Sequence, residues 1–206
     1  MTSLRHKGLD AARPPQDSAA DTAELALDAA RDCILAVGWS RTTLTEVARR
    51  AGVSRMTIYR RWPDMNALLG DLMTREWGGL VQTDSPGTEA DALTDLVRGA
   101  VETVRAVRAN PLFARIVELD PQLLLPYLLD RPGRSQRLVL DVLAIQIRAG
   151  QQSGAIRAGE AELLARSVVL ACHGFALSAQ TMATDGLTEA QLDDELATLL
   201  TGYLRP

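Results

Sequence analysis

Aromatic residues are scarce in this 206-residue chain: two Phe, three Tyr and three Trp, 4% of the whole. That poverty, with abundant Ala, Leu and Arg, favours helix over strand. Cysteine is limited to Cys33 and Cys172 and histidine to His6 and His173. Both cysteines fall in apolar helical stripes. They read as small buried hydrophobes of a reducing compartment, a disulfide or redox sensor being the other reading. The four residues form no cluster with metal-ligand spacing, so neither a metal nor a cofactor is expected. No run of about 18 uncharged apolar residues occurs, so no membrane span is expected. The N-terminus is basic but lacks the apolar block of a signal peptide, which points to the cytoplasm. Gly-rich phosphate loops, serine elbows and HExxH are missing as well, so enzyme chemistry has no recognisable motif to rest on.

The informative stretch is TTLTEVARRAGVSRMTIYRRWPDM, residues 42 to 65. Thr43 and Glu46 have capping-box spacing, and Leu44, Val47 and Ala48 recur on one helical face. Ala51-Gly52-Val53 reads as a turn, because Gly52 tolerates the positive φ that closes a helix end. Ser54 is a good N-cap for a second helix to about Trp62, and Pro63 stops it. Two helices so joined make a helix-turn-helix, whose second helix can enter the major groove of DNA. Charge agrees. Between Trp39 and Trp62 lie six arginines and one glutamate, a local +5 on a chain of net −4. A basic island on an acidic protein suits local binding of phosphate backbone. The rival reading is an ordinary helical pair with a solvated arginine face.

Residues 42 to 69 resemble the signature of the TetR family of bacterial transcriptional regulators. The matching positions are Thr42-Thr43, Val47-Ala48, Ala51-Gly52-Val53-Ser54, Thr57-Ile58-Tyr59, Trp62 and Ala67-Leu68-Leu69. The resemblance covers the N-terminal part only; the rest matches in length and helical pattern. It implies an all-α protein: an N-terminal three-helix bundle with the helix-turn-helix, then a C-terminal helical domain for ligand binding and dimerisation. It further implies a homodimer that represses from a near-palindromic operator and is released by a small apolar molecule. By family position Arg55, Met56 and Thr57 face the major groove, while Tyr59, Arg60 and Arg61 clamp phosphates, with a base contact as a second role open to Arg60. Arg55 has the fork that bonds guanine O6 and N7. Thr43 offers its hydroxyl and a helix N-terminus to another phosphate. Ile58 and Trp62 read as core. Met65 departs from the pattern, which usually has a phosphate-gripping lysine there.

The expected organisation is a flexible basic arm over 1–20, a DNA-binding domain over 21–66 and a ligand-binding and dimerisation domain over 67–206. Arg5, His6, Lys7 and Arg13 in the arm either touch DNA or belong to a solvated tail. The first helix is expected from Asp21 or Thr22 to a stop at Gly38, and a fourth from Asp64 to about Val81. A turn at 83–87 precedes a helix to about Ala109. Short helices follow Asn110-Pro111 and Asp120-Pro121, and a long one opens at Pro132 and runs to about Gln152. The last two span about 160–184 and 188–204. In this family the last two helices pair with their mates. Leu164, Val168, Phe175, Leu192, Leu196, Leu199 and Tyr203 are the candidates for that interface, backed by Leu163, Ala165, Val169, Leu200 and Leu204; either stripe can equally pack on its own subunit. Candidate ligand contacts are Trp77, Phe113, Ile116, Tyr127, Leu140, Leu143, Ile147, His173 and Phe175, each alternatively an ordinary core position. Asp193-Asp194 reads as part of a solvated face. The remaining function classes are a helical protein-interaction module, which would not need the +5 island, and an enzyme without a recognisable catalytic motif.

Overall fold

A computed structural model describes residues 17–78 and 92–206. Among them the chain is helical: α1 Asp17–Val37, α2 Leu44–Ala51, α3 Arg55–Arg61, α4 Met65–Gly78, α5 Ala92–Ala109, α6 Pro111–Leu119, α7 Leu125–Leu129, α8 Arg134–Gln152, α9 Ala161–Met182 and α10 Glu189–Leu204. A 3-10 turn, Pro121–Leu123, joins α6 to α7. Most of the expected arm, the 83–87 turn and the start of the following helix lie outside the described residues.

Local chemistry sets the boundaries. Helix α1 begins at Asp17, four residues before the expected start, and Gly38 closes it at φ +86°. Thr43 caps α2, its hydroxyl accepting from Glu46 N. Only half of the expected capping box forms, because the Glu46 carboxylate turns to Arg49 at 2.6 Å. Gly52 adopts φ +69°, and Val53 N donates back to Ala48 O at 3.0 Å. That six-to-one bond turns the chain sharply out of α2. Asp64 caps α4 by accepting from Ala67 N at 2.8 Å. Helix α8 starts at Arg134 rather than Pro132, capped at Gly133 by the Gln136 side chain, which accepts from Gly133 N.

Two cores result. The first joins Ala26, Ala30 and Ile34 of α1, Leu44 and Val47 of α2, Ile58 and Trp62, and Leu68 and Leu72 of α4. Leu112 and Ile116 of α6 complete it, so its packing reaches well beyond residue 66. The second joins Leu96 and Val104 of α5, Leu143 and Ile147 of α8, Ile156, Leu164 and Val168 of α9, and Leu196, Leu200 and Leu204 of α10. Helix α9 has the length and composition of a membrane-crossing helix, but Arg166 interrupts it and one face is spent on α8, α5 and α10. The turn from α8 to α9 seats Ile156 over Gly150, where any Cβ would meet Ile156 Cδ1 at 2.5 Å. Arg157 Nε then donates to Tyr203 O at 2.7 Å, closing the end of α10.

Asp193 overturns an expectation. Its side chain is 3% exposed against 80% for Asp194, so the pair does not share a solvated face. Arg108 donates to both Asp193 oxygens at 2.7 Å and Arg105 donates at 2.8 Å. This knot ties α5 to α10 at the edge of the second core. Asp193→Ala is expected to cost the lower end of roughly 3–5 kcal/mol, since it strips a buried charge of its partner. Glu189 at 3.2 Å and the Phe175 carbonyl at 3.4 Å keep Arg108 partly satisfied. Urea unfolding measures the loss; no change in midpoint would deny the knot its role.

Candidate DNA-reading helix and interior cavity

Helix α3 is a seven-residue helix anchored from behind. Ile58 is buried in the first core and Trp62, its C-cap, likewise. That fixes the opposite face outward: Met56 is 75% exposed and Tyr59 49%, and Arg55, Arg60 and Arg61 are exposed beside them. Ser54 accepts from Thr57 N at 3.1 Å, and the two hydroxyls lie 2.8 Å apart. Thr57 is therefore half-buried, its oxygen already shared. Arg61 stacks over the Trp62 ring at 5.2 Å. Thr43 is exposed at the α2 N-terminus. The structure thus brings Arg55, Met56, Tyr59 and Arg60 onto one outward face, with Arg61 exposed at the helix end beside Trp62.

The basic island is less uniform than its count suggests. Arg49 pairs with Glu46 and Arg50 with Asp32. Among the described residues no carboxylate pairs with Arg55, Arg60 or Arg61, so the charge left for a ligand concentrates on α3. Burial raises the Cys33 thiol pKa against the opposing pull of Arg50. Both cysteines are free.

The reading head is bolted to the rest of the chain. Asp120, buried after α6, accepts from Trp39 N at 2.8 Å and Ser40 N at 3.3 Å, and from the Ser40 hydroxyl. Burial pushes its carboxyl up, but the hydrogen bonds from Ser40 and Trp39 outweigh this and leave the pKa below the ordinary value. Helix α4 carries further ties. Trp62 Nε1 donates to Asp71 Oδ2 at 2.7 Å, and the other Asp71 oxygen accepts from Arg134 at the start of α8. Arg75 meets Glu24 and Asp28 of α1, while Glu76 accepts from Asn110, the N-cap of α6, at 3.2 Å.

Between α4, α5, α6, α8 and α9 lies a cavity of about 1110 Å³. It is lined by Trp77, Phe113, Ile116, Tyr127, Leu143 and His173. Trp77 and Phe113 meet edge to face at 6.2 Å. Trp77 Nε1 is buried with no acceptor among the described residues. His173 Nε2 lies 3.3 Å from Gln136 Nε2, and burial lowers the His173 pKa by disfavouring the charged ring. Burial pushes the neighbouring Cys172 up to about 11.

Three expected ligand contacts fall elsewhere. Ile147 is fully buried in the second core, and Leu140 and Phe175 pack on that core away from the cavity. The interface candidates also divide. Leu164, Val168 and Leu196, with Ala165, Leu200 and Leu204, are turned into their own subunit and have no surface to offer a partner. Phe175, Val169 and Leu192 are half-buried. Leu163, Leu199 and Tyr203 do face outward, joined by Leu170, 70% exposed, which the sequence reading missed. Also missed were Asp71, Asp120 and the arginines at 131, 134 and 137; their three-residue spacing was the available signal for the last.

Residues 26–72 match the pattern of bacterial regulatory proteins of the tetR family. An HTH-type transcriptional regulator of Mycobacterium bovis is 34% identical over 186 residues, covering 90% of this chain and 95% of that protein. The fold is similar to SmeT, the repressor of the Stenotrophomonas maltophilia multidrug efflux pump SmeDEF, with a TM-score of 0.62 at 21% identity over 90% of this chain and 93% of that one. It is also similar to the TetR family repressor AlkX of Dietzia, with a TM-score of 0.60 at 20% identity over 88% and 94%. The chain belongs to the TetR family of transcriptional regulators, and α2–α3 is its helix-turn-helix.

The Asp120 tie has a pH signature. A carboxyl with a depressed native pKa stabilises fully above the unfolded pKa, and that contribution is lost as pH falls through the native one. Asp120→Asn places an amide against amide donors and is expected to cost about 1–3 kcal/mol at pH 7. The gap from wild type should shrink in acid below about pH 4. Unfolding curves across pH check this; a gap independent of pH would show that the ionised carboxylate is irrelevant.

Proposed function

We propose that this regulator is a ligand-released repressor, rather than an enzyme, acting in the cytoplasm as a homodimer on a near-palindromic operator. The observation that carries the reading is the outward face of α3, with its free arginines held at a fixed angle by Ile58 and Trp62 behind it. Residues near the start of such a helix reach base edges, and later ones reach phosphate. Arg55, Met56 and Thr57 are assigned to the major groove; Thr43, Tyr59, Arg60 and Arg61 hold the backbone. Arg61, braced on Trp62, suits the phosphate role of the lysine replaced by Met65.

The dimer forms through the outward stripes of α9 and α10, where Leu163, Leu170, Leu199 and Tyr203 are exposed. Two-fold pairing sets two α3 helices on successive turns of the duplex, roughly 34–36 Å apart. Residues 67–206 supply the ligand-binding and dimerisation body. Its large, mostly apolar cavity is the effector site, and the similar fold of SmeT in its complex with triclosan supports an apolar ligand.

Duplexes selected by the protein from a random library supply the operator. Arg55→Ala is expected to lose about 1–3 kcal/mol there and to relax the preference at one base pair. Arg60→Ala should weaken selected and scrambled duplexes alike and flatten the salt dependence. Equal losses for Arg55→Ala on both duplexes would remove it as a base reader. For assembly, Leu170→Asp places charge on an outward position, so it should yield a folded monomer in sedimentation. A Leu170→Asp protein that remains dimeric would refute this interface.

A further inference from the structure

The cavity has a polarity of its own. Helix α4 contributes Asn66, Leu69, Gly70, Met73, Thr74 and Trp77, one stripe from residue 66 to residue 77. At the helical rise that wall runs about 16 Å. At one end Arg98 pairs with Asp95 at 2.7 Å and approaches Glu102 at 4.0 Å, so the charges there are matched. The other end, at the turn into α8, is lined by Arg131, Arg134 and Arg137, and the lining there contains no carboxylate. Arg137 reaches the Pro132 carbonyl. The first turn of a 19-residue helix adds its partial positive charge to the same place. The only acid on these arginines among the described residues is Asp71, which bonds Arg134 and, through its second oxygen, the indole of Trp62 behind the recognition helix. The Arg134 guanidinium approaches Gly70 end-on, so that a Cβ there would stand 3.0 Å from Nη2. It is therefore placed both at the cavity wall and on the carboxylate that holds the end of α3.

We propose that the effector is an amphipathic anion, an apolar chain bearing a carboxylate or phosphate, whose head group takes Arg134 from Asp71 and so loosens the Trp62 anchor of the recognition helix. This rests on the reading of the cavity as the effector site. An oxyanion suits a guanidinium fork as well as Asp71 does, and Arg131 and Arg137 add charge that Asp71 does not engage. Asp71 is partly exposed. Without Arg134 its carboxylate turns to water, and the bond that fixes Trp62 at the end of α3 weakens. The anion then favours the state in which α3 is loose, which is the differential affinity that release requires. The apolar chain lies along α4 toward Trp77.

The probes are dodecanoate, dodecyl phosphate, dodecanol and dodecyltrimethylammonium, with the neutral dye Nile red to report filling of the cavity. Binding is followed by dye displacement and by thermal shift on the full-length protein, and release on the library-selected duplex. An anion is expected to bind about tenfold or more tighter than the alcohol, the ammonium weakest, and to weaken operator binding by a similar factor. The better of the two anions identifies the head group. Arg134→Gln should erase the preference for anion over alcohol while still taking up Nile red, and a cooperative thermal transition shows that it folds. Asp71→Asn keeps an acceptor for Trp62 but removes the counter-ion; it should bind the anion more tightly. Equal binding of acid and alcohol, or a preference that survives Arg134→Gln, overturns the head-group assignment and leaves the cavity reading standing. Anion binding that leaves the operator complex intact overturns the coupling through Asp71. Failure of every probe and of Nile red overturns the effector site itself.

Discussion

Helix α6 is the member on which the arrangement depends. Its Leu112 and Ile116 are buried inside the core of the reading head, although α4 ends at Gly78 and all of α5 lies between. The head therefore lacks a closed core of its own from α1 to α4 alone. Asn110 caps α6 through Leu112 N and Phe113 N, and Pro111 fits the first helical position, where no amide is needed. Phe113 and Ile116 also line the cavity. A displacement of α6 by a ligand must reach the head, because packed interiors shift between discrete arrangements rather than stretch. Asp120 makes the same connection polar, holding the turn after α1 to the end of α6.

Helix α4 is the second connection, and it works through side chains of opposite character. Leu68 and Leu72 are buried among α1 and α2, whereas Gly70, Met73 and Trp77 line the cavity. Asp71 stands between these faces and joins the end of α3 to the start of α8. Arg75 and Glu76 fix the far end to α1 and to the cap of α6. The head is thus held at two places on one helix, and these contacts fix the end of α3 against α4. Surface ion pairs of this kind contribute little to stability singly. Their use here is geometric, since each fixes one helix end relative to another.

The sequence was most legible where local rules decide the outcome. Thr43, Gly52, Ser54, Pro63 and Asp64 act through their own backbone neighbours, so their positions alone foretold the turn and the three helix starts. The half-formed box at Glu46 shows the limit, because Arg49 competes for that carboxylate one turn on. The pocket and the interface depend on which face of each helix meets which neighbour, and a stripe at three- and four-residue spacing does not say. Leu164 and Leu196 have the same periodicity as Leu163 and Leu199; only the packing of α8, α9 and α10 assigns one pair inward and the other outward. Asp193 misled for the opposite reason. An acid beside another acid reads as surface, yet Arg105 and Arg108 on a distant helix bury it. Long-range polar pairs have no local signature.

Charge distribution gives the molecule a direction. The chain is acidic overall, while the segment from Trp39 to Trp62 is strongly basic. Within that segment Arg49 is paired by Glu46 and Arg50 by Asp32 of α1, while the arginines of α3 stay exposed without a carboxylate among the described residues. A polyanion is therefore attracted to one small surface and repelled by most of the rest. Indiscriminate adhesion to DNA costs a regulator its selectivity, because nonspecific affinity comes almost wholly from phosphate contacts. Confining the free cations to a helix already fixed for groove entry couples attraction to orientation. The same economy holds inside, where Asp71 pairs with Arg134 at the cavity wall and, among the described residues, no carboxylate pairs with Arg131 or Arg137.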